Sequence, residues 1–173
     1  MDDHKRLFFA LCPDAFIRAE LQKAQQQYES AEARPVIQEN LHMTLLFLGM
    51  VPNNLVPKLN ALAQTIQLDP FSLHIDHIDV WPRQRLMWAG CHQVPKKLQQ
   101  LEHALRKGAQ RCGIKIENRP YHPHITLARK VKTGTKMELS ASLEWQVNAF
   151  SLVESVTEPS GVVYSEIASW KLA

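Results

Sequence analysis

Residues 40–48 read Asn-Leu-His-Met-Thr-Leu-Leu-Phe-Leu, and residues 121–129 read Tyr-His-Pro-His-Ile-Thr-Leu-Ala-Arg. Both stretches contain His-x-Thr-Leu, and their histidines, His42 and His124, are 124 − 42 = 82 residues apart. Side chains alternate between the two faces of a β-strand, so His and Thr share one face while the apolar residues between them point into a core. Two such pairs in apolar settings predict one site that is lined by two imidazoles and two hydroxyls.

Length and composition favour a single globular domain over residues 1–173, or two small lobes that share a core. The chain has 173 residues, 45% of them hydrophobic, and a formal charge of +3, which is compatible with an anionic ligand but too small to indicate a long RNA footprint. Three cysteines without close spacing suggest a reducing cytoplasm. No apolar stretch approaches the roughly 20 residues of a membrane span, so we expect a soluble, monomeric protein that does not bind membranes.

Helices and strands alternate along the chain in a pattern that repeats once. Apolar periodicity and capping residues predict helices from Asp14 to about Tyr28, from Asn53 or Asn54 to Ile66, and from Pro95 to Cys112. Strands are predicted at Arg6–Leu11, at both His-x-Thr stretches (the first ending at Gly49), at Phe71–Val80 with a bulge near His77 or as two short strands, at Leu86–Cys91, at Trp145–Val156 and at Val162–Trp170. Each half thus has a helix, a loop and a His-x-Thr strand, which predicts an α+β protein with two similar lobes and a shared cleft.

Two residues beyond the tetrads are candidates for substrate binding. Arg129 follows the second tetrad, and its guanidinium could hold a phosphate in two hydrogen bonds or simply be solvated at a strand end. Phe47 follows the first tetrad. Regular alternation points Phe47 away from His42 and into the core, and stacking on a base is the alternative.

The remaining histidines invite a less specific interpretation. His74 and His77 are expected to be exposed on a strand, and His92 lies in a loop. His122 and His124 could form a metal pair, but no third ligand stands at a suitable spacing, so we expect no metal and no cofactor.

The residues around both tetrads resemble the two-histidine (2H) phosphoesterase superfamily, and most closely its bacterial RNA 2',3'-cyclic phosphodiesterases, also called 2'-5' RNA ligases. The resemblance covers nearly the whole chain and is carried by residues 6–11, 39–49 and 118–129. It implies a bilobal fold of two pseudo-symmetric lobes of antiparallel sheet, with helices packed outside and a central cleft.

The resemblance also implies a reaction: hydrolysis of the 2',3'-cyclic phosphate of an RNA end or nucleotide to a 2'-phosphomonoester, with 2'-5' ligation as the reverse. It makes His42 the proton donor and His124 the proton acceptor, and it has Thr44, Thr126 and Arg129 hold the phosphate. The residues alone do not distinguish acid from base. The alternatives are a metal-dependent hydrolase that uses His122 and His124, an RNA-binding protein without turnover, and the same chemistry on 2'-5' oligoadenylates or ADP-ribose cyclic phosphate.

Overall fold

The computed structural model describes residues 3–27 and 32–173. Its helices are α1 (Ala15–Gln26), α2 (Val56–Gln64) and α3 (Lys96–Arg111). Its strands are β1 (His4–Leu11), β2 (Arg34–Pro35), β3 (Met43–Pro52), β4 (Phe71–Trp81), β5 (Leu86–Gly90), β6 (Ile125–Arg129), β7 (Met137–Val147), β8 (Ala149–Glu158) and β9 (Gly161–Lys171). None of the helices in the described residues is long and apolar enough to cross a membrane.

The nine strands of the described residues belong to one sheet with antiparallel pairing, in the order β7-β4-β5-β6-β3-β1-β8-β9, with the short β2 on β6. The sheet is weakest at its centre, where the register of β3 and β6 contains the single pair Met43 and Ile125. This junction divides the sheet into two lobes of four main strands. We call them the His42 lobe (β3, β1, β8, β9) and the His124 lobe (β6, β5, β4, β7). The predicted α+β fold with two antiparallel lobes is confirmed.

The lobes exchange helices. Helix α1 lies between β1 and β3 in the chain, yet it contacts β6 and β7 of the His124 lobe. The side-chain amide of Gln25 in this helix is buried and donates to the carbonyl oxygens of Val36 and Leu127. Helix α3 lies between β5 and β6, yet it contacts β3 of the His42 lobe and also α2. Each lobe therefore covers part of its apolar surface with a helix from the other half of the sequence.

Local sequence signals explain where several elements begin and bend. The Asp14 carboxylate caps α1 by accepting the backbone N–H of Ile17 at 2.8 Å, as predicted. Gly113 follows α3 with a positive φ of 86°, which suits a glycine after a helix end. The predicted bulge near His77 is confirmed, because the register of β4 against β7 shifts between Ile75 and His77.

Four boundary predictions need correction or fall outside the described residues. Helix α2 begins at Val56 and ends at Gln64, because residues 53–55, where the sequence predicts its start, form a 3-10 turn. The expected strand Trp145–Val156 is in fact the end of β7 and most of β8, which separate at Asn148. Strand β3 does not end at Gly49 but continues to Pro52, with Gly49 at a positive φ of 74°. Helix α1 ends at Gln26, and the extension predicted to Tyr28 lies outside the described residues.

Candidate active site

The two tetrads meet at the junction of the lobes. His42 and His124 each lie one residue before a strand, β3 and β6, and the next residues, Met43 and Ile125, are paired and fully buried. Extending this antiparallel register by one residue in each direction puts Thr44 across from His124, and His42 across from Thr126. The structure therefore brings together the four side chains that the sequence singles out, each histidine facing the threonine of the other lobe.

Both imidazoles are held in the same tautomer. The Nδ1–H of His42 donates to the carbonyl oxygen of Asn40 at 2.7 Å, and the Nδ1–H of His124 donates to the carbonyl oxygen of His122 at 2.7 Å. A carbonyl oxygen only accepts hydrogen bonds, so Nδ1 must carry a proton in each ring. Nε2 is left as the nitrogen that can take up or release a proton.

The Thr44 hydroxyl lies 3.2 Å from Nε2 of His42. When Nε2 is unprotonated, this hydroxyl donates to it, and when Nε2 is protonated the direction reverses. The backbone of Thr44 is also tied to the other lobe, because the Tyr121 hydroxyl donates to its carbonyl oxygen at 3.1 Å. Tyr121 belongs to the second His-x-Thr stretch, residues 121–129, but nothing in the sequence of that stretch predicts a contact between Tyr121 and the other lobe.

Aromatic rings support each histidine. The His42 ring centroid lies 4.9 Å from those of Phe8 and Tyr164. The His124 ring lies 4.7 Å from Trp81 and 6.3 Å from Trp88, in edge-to-face contact with both. No sequence pattern links these four aromatic residues to the histidines, because they are on strands β1, β9, β4 and β5, distant in sequence from the tetrads.

Burial lowers the pKa of both histidines below the ordinary imidazole value. For His42, desolvation is the largest cause, the hydrogen bond to Asn40 opposes it, and the charges of His124, Arg129 and Arg18 lower the pKa further. For His124, desolvation again dominates against the hydrogen bond to His122, with nearby positive charge adding to the lowering. Arg129 contributes to both shifts, which places its guanidinium within electrostatic reach of both rings.

A β-bulge in each strand redirects the residues that follow the tetrads. The register of β3 against β1 skips Leu45, and the register of β6 against β5 skips Leu127. The bulge brings Phe47 back to the face of His42 and Thr44, so Phe47 is 41% exposed and lines the cleft. The expectation that Phe47 points into the core is wrong, because regular alternation does not continue through a bulge.

The second bulge acts in the same way on Arg129, which is exposed and shares the face of His124 and Thr126. On the opposite face, the consecutive residues Leu127 and Ala128 are both buried. Phe47 and Arg129 therefore occupy equivalent positions, each five residues beyond its histidine.

A cavity of about 710 Å³ opens beside Thr44 and His124. It extends away from the junction past Phe47, Trp81 and Tyr121, and charged side chains also line it. These are Arg106, Lys115, Arg119 and the acidic Glu117. The guanidinium of Arg6 lies 4.9 Å from the centroid of the Phe47 ring. This volume is ample for a nucleotide, and its aromatic and basic lining suits the base and the phosphate.

The structure does not extend the His122–His124 pair into a metal site. In the part of the chain that the structure describes, the group of three or more His, Cys, Asp or Glu donors close enough to share an ion lies elsewhere, at Asp76, His77 and His92. His122 is exposed, and its backbone carbonyl orients His124.

Residues 13–158 match the family model of the 2'-5' RNA ligase superfamily. The chain belongs to this superfamily. Within it, the chain is 36% identical over 175 residues to the RNA 2',3'-cyclic phosphodiesterase of Escherichia coli, covering 99% of each chain. It is 31% identical to the RNA 2',3'-cyclic phosphodiesterase of Thermus thermophilus, covering 96% of this chain and 90% of that one. The crystal structure of E. coli LigT complexed with 3'-AMP superimposes with a TM-score of 0.92 at 35% identity, over 98% of both chains.

Proposed function

We propose that this member of the 2'-5' RNA ligase superfamily hydrolyses the 2',3'-cyclic phosphate of RNA ends or nucleotides to a 2'-phosphomonoester. The observation that carries the proposal is the pair of imidazoles from two lobes, each with Nδ1 bound to a carbonyl oxygen and Nε2 available for proton transfer. Two full-length relatives are named for this activity, and LigT is seen with a nucleotide, 3'-AMP. Both facts support the same substrate class.

The reaction needs a proton removed on one side of phosphorus and delivered on the other. Water attacks phosphorus and gives its proton to Nε2 of His124, while the P–O3' bond breaks and Nε2–H of His42 protonates the departing O3'. The products are a 3'-hydroxyl and a 2'-phosphate. In-line displacement puts the entering and leaving oxygens on opposite sides, so histidines from two lobes suit it better than two from one. A 5'-hydroxyl in place of water gives a 2'-5' linkage by the same transfers.

The threonines and Arg129 act on the non-bridging phosphate oxygens. Negative charge builds up on these oxygens in the transition state, and preorganised donors stabilise it more strongly than water does. Thr44 and Thr126 donate hydroxyl hydrogen bonds, and Arg129 offers the planar, permanently charged fork that suits phosphate. Phe47 stacks on the base or ribose, with the Arg6 guanidinium 4.9 Å from its ring centroid. None of these steps requires a metal ion or another cofactor.

The enzyme acts as a monomer, with one bilobal catalytic domain over residues 1–173, since both histidines and the cavity come from a single chain and the site needs no second copy. Cys12, Cys91 and Cys112 are free thiols, as expected of a protein in the reducing cytoplasm.

The decisive experiment follows hydrolysis of the four nucleoside 2',3'-cyclic phosphates by phosphorus NMR, which separates 2'- from 3'-monophosphate. His42→Ala and His124→Ala are each expected to lower kcat about 10²–10⁴-fold, the usual contribution of a positioned acid or base. His103→Ala, which changes a histidine on the exposed side of α3, is the matched control and should leave kcat unchanged.

Three outcomes would contradict the proposal. Retention of most activity in either cleft variant would remove that histidine from the mechanism. Formation of the 3'-monophosphate would show that the other P–O bond breaks. Salt-sensitive RNA binding by the unmodified chain, without turnover of any cyclic phosphate, would make it a binding protein.

A further inference from the structure

A second cluster of ionisable side chains lies on the His124 lobe, outside the cleft. It is formed by Asp76 and His77 on β4, His92 just beyond β5, and Glu138 on β7. His77 is only 5% exposed, so the expectation of an exposed strand histidine is wrong. The cause is the β4 bulge, which brings His77 opposite both Glu138 and Gly90.

Gly90 makes the room that this cluster needs. A Cβ atom at this position would lie 2.5 Å from the Trp88 ring and 3.4 Å from Cε1 of His77. Without one, the His77 ring packs edge-to-face on Trp88 at 5.3 Å and stacks on His92 at 4.2 Å.

The donor atoms of the cluster converge. Nδ1 of His77 lies 2.6 Å from Oδ1 of Asp76, Nε2 of His92 lies 3.9 Å from the same oxygen, and the three donor atoms are within 4.8 Å of one another. The two Glu138 oxygens lie 3.0 and 3.1 Å from Nε2 of His92. Asp76 is also held in place, because the backbone N–H of His92 donates to both of its oxygens at 3.1 Å.

We propose that Asp76, His77, His92 and Glu138 bind one divalent transition-metal ion of the Zn²⁺ type. Two imidazoles and two carboxylates are a donor set that Zn²⁺ and Co²⁺ accept in four-coordinate sites. Donors held tetrahedrally at about 2.1 Å from an ion are roughly 3.4 Å apart. The observed separations are 2.6 Å for Asp76 and His77, 3.9 Å for Asp76 and His92, and 3.0 Å for His92 and Glu138. They lie on both sides of that value, and rotation of the His92 and Glu138 side chains brings the four atoms into place.

Two groups must move for the ion to enter. Stacked rings cannot both hold an ion in their planes, so the 45% exposed His92 side chain turns away from its stack on the buried His77. The Lys136 ammonium, 3.4 Å from Nε2 of His92 and 3.3 Å from Glu138, gives up its place to the ion. The bound ion then links β4, β7 and the segment after β5, which stiffens the lobe that carries His124. It takes no part in the proton transfers.

The test uses the full chain freed of metal with a chelator and titrated with Co²⁺ and with Zn²⁺. We expect one equivalent of Co²⁺ to bind with the visible absorption of a four-coordinate ion, Zn²⁺ to displace it, and Zn²⁺ to raise the Tm by a few degrees. His92→Ala changes an exposed residue and should weaken binding at least tenfold without unfolding the chain. The matched control is His74→Ala, an exposed histidine on the same strand as His77, which should bind normally.

Lys136→Met should instead increase the affinity for the metal ion. It removes a competing cation, and a unit charge about 4 Å from a divalent ion sets an upper limit of roughly 30-fold tighter binding at the dielectric constant of water. Absence of saturable binding, or equal binding by the unmodified chain and His92→Ala, would overturn the proposal and leave the cluster as a hydrogen-bond network. Binding that is lost in His122→Ala but kept in His92→Ala would also overturn it, since the ion would then sit at the cleft. Because metal binding is measured directly, its failure leaves the proposed hydrolysis untouched.

Discussion

At the scale of single residues, the cleft histidines combine two opposing influences. Each Nδ1 is bound to a carbonyl oxygen, which favours the protonated ring, while burial and nearby positive charge favour the neutral ring. Burial is the larger influence for both, so both pKa values are lowered. In the proposed reaction, a bound anionic phosphate would reverse part of this effect, because a negative charge in the cleft stabilises an imidazolium.

The first prediction concerns the pH dependence of hydrolysis. A proton donor with a lowered pKa loses its proton at a lower pH, and a proton acceptor with a lowered pKa stays unprotonated to a lower pH. The bell-shaped profile of kcat/KM, which reports the free enzyme, should therefore be displaced to the acid side of the ordinary histidine value of about 6.5. Its alkaline limb should lie at a lower pH than that of kcat, which reports the complex with the phosphate bound.

Arg129→Gln offers an independent check of this assignment. Removing a charge that lowers both pKa values should move the kcat/KM profile toward alkaline pH, in addition to weakening phosphate binding. Rate measurements between about pH 4 and 9 with a nucleoside 2',3'-cyclic phosphate give both quantities. Identical pH profiles for Arg129→Gln and the unmodified enzyme would show that Arg129 does not affect the pKa values of the two histidines.

Phe47 leads to the second prediction. Stacking of a base on an aromatic ring contributes about 1–3 kcal/mol, so Phe47→Ala should raise KM roughly 5- to 150-fold with a small change in kcat. Phe47→Tyr keeps the ring and should behave like the unmodified enzyme. Met50→Ala, at another exposed position on β3, is the control for loss of apolar surface. A fall in kcat with KM unchanged would instead assign Phe47 to the support of the catalytic groups.

At the scale of elements, the bulges decide what the sequence could predict. Alternation correctly places Met43 and Leu45 in the core, because the strand is regular as far as Thr44. It fails for Phe47, because a bulge depends on pairing with β1, which is remote in sequence. The one local sign is the consecutive apolar pair Leu45-Leu46, both buried, with the matching pair Leu127-Ala128 in β6. Two adjacent apolar residues at the same offset from each histidine are thus a sign that alternation breaks there.

The packing of α3 on α2 gives the third prediction. Gly108 is buried on α3, and a Cβ atom there would lie 1.9 Å from Cδ1 and 2.8 Å from Cγ of Leu62 on α2. Overpacking costs about 1–3 kcal/mol, and the change from Gly to Ala gains about 1 kcal/mol in helix propensity. Gly108→Ala should therefore lower the free energy of unfolding in urea by up to about 2 kcal/mol.

Two further variants test whether any loss of stability in Gly108→Ala comes from the collision with Leu62. Gln110→Ala, at an exposed position of the same helix, should change the stability by less than about 0.5 kcal/mol. Leu62→Ala should cost less in the Gly108→Ala background than alone, because it removes the atoms that collide. A Gly108→Ala protein as stable as the unmodified chain would mean that the half-buried Leu62 side chain rotates to admit the methyl group.

At the scale of the whole molecule, the repeated tetrad predicts two lobes, because each copy lies on a strand with one face toward a core and the other toward the site. The exchange of helices could not be predicted in this way. An apolar stripe on α1 or α3 indicates that one face is buried, but it does not say which lobe buries it. The aromatic support of the histidines has the same origin in tertiary structure, since β1 pairs with β3 in the sheet and β9 contacts residues 38–40, just before His42.

The exchanged helices lead to the last prediction, which tests whether residues 1–173 behave as one domain. Neither lobe retains its full core without a helix from the other half, so both should unfold together in urea.

The four tryptophans allow each lobe to be followed separately, because Trp170 is on β9 while Trp81, Trp88 and Trp145 are on β4, β5 and β7. Trp170→Phe leaves fluorescence from the His124 lobe, and the triple Phe variant of the others leaves it from the His42 lobe. In each variant the fluorescence midpoint should coincide with that of its own far-UV circular dichroism, as two-state unfolding requires. Midpoints that differ by more than roughly 0.5 M urea would show that the weak β3–β6 junction separates two independent units.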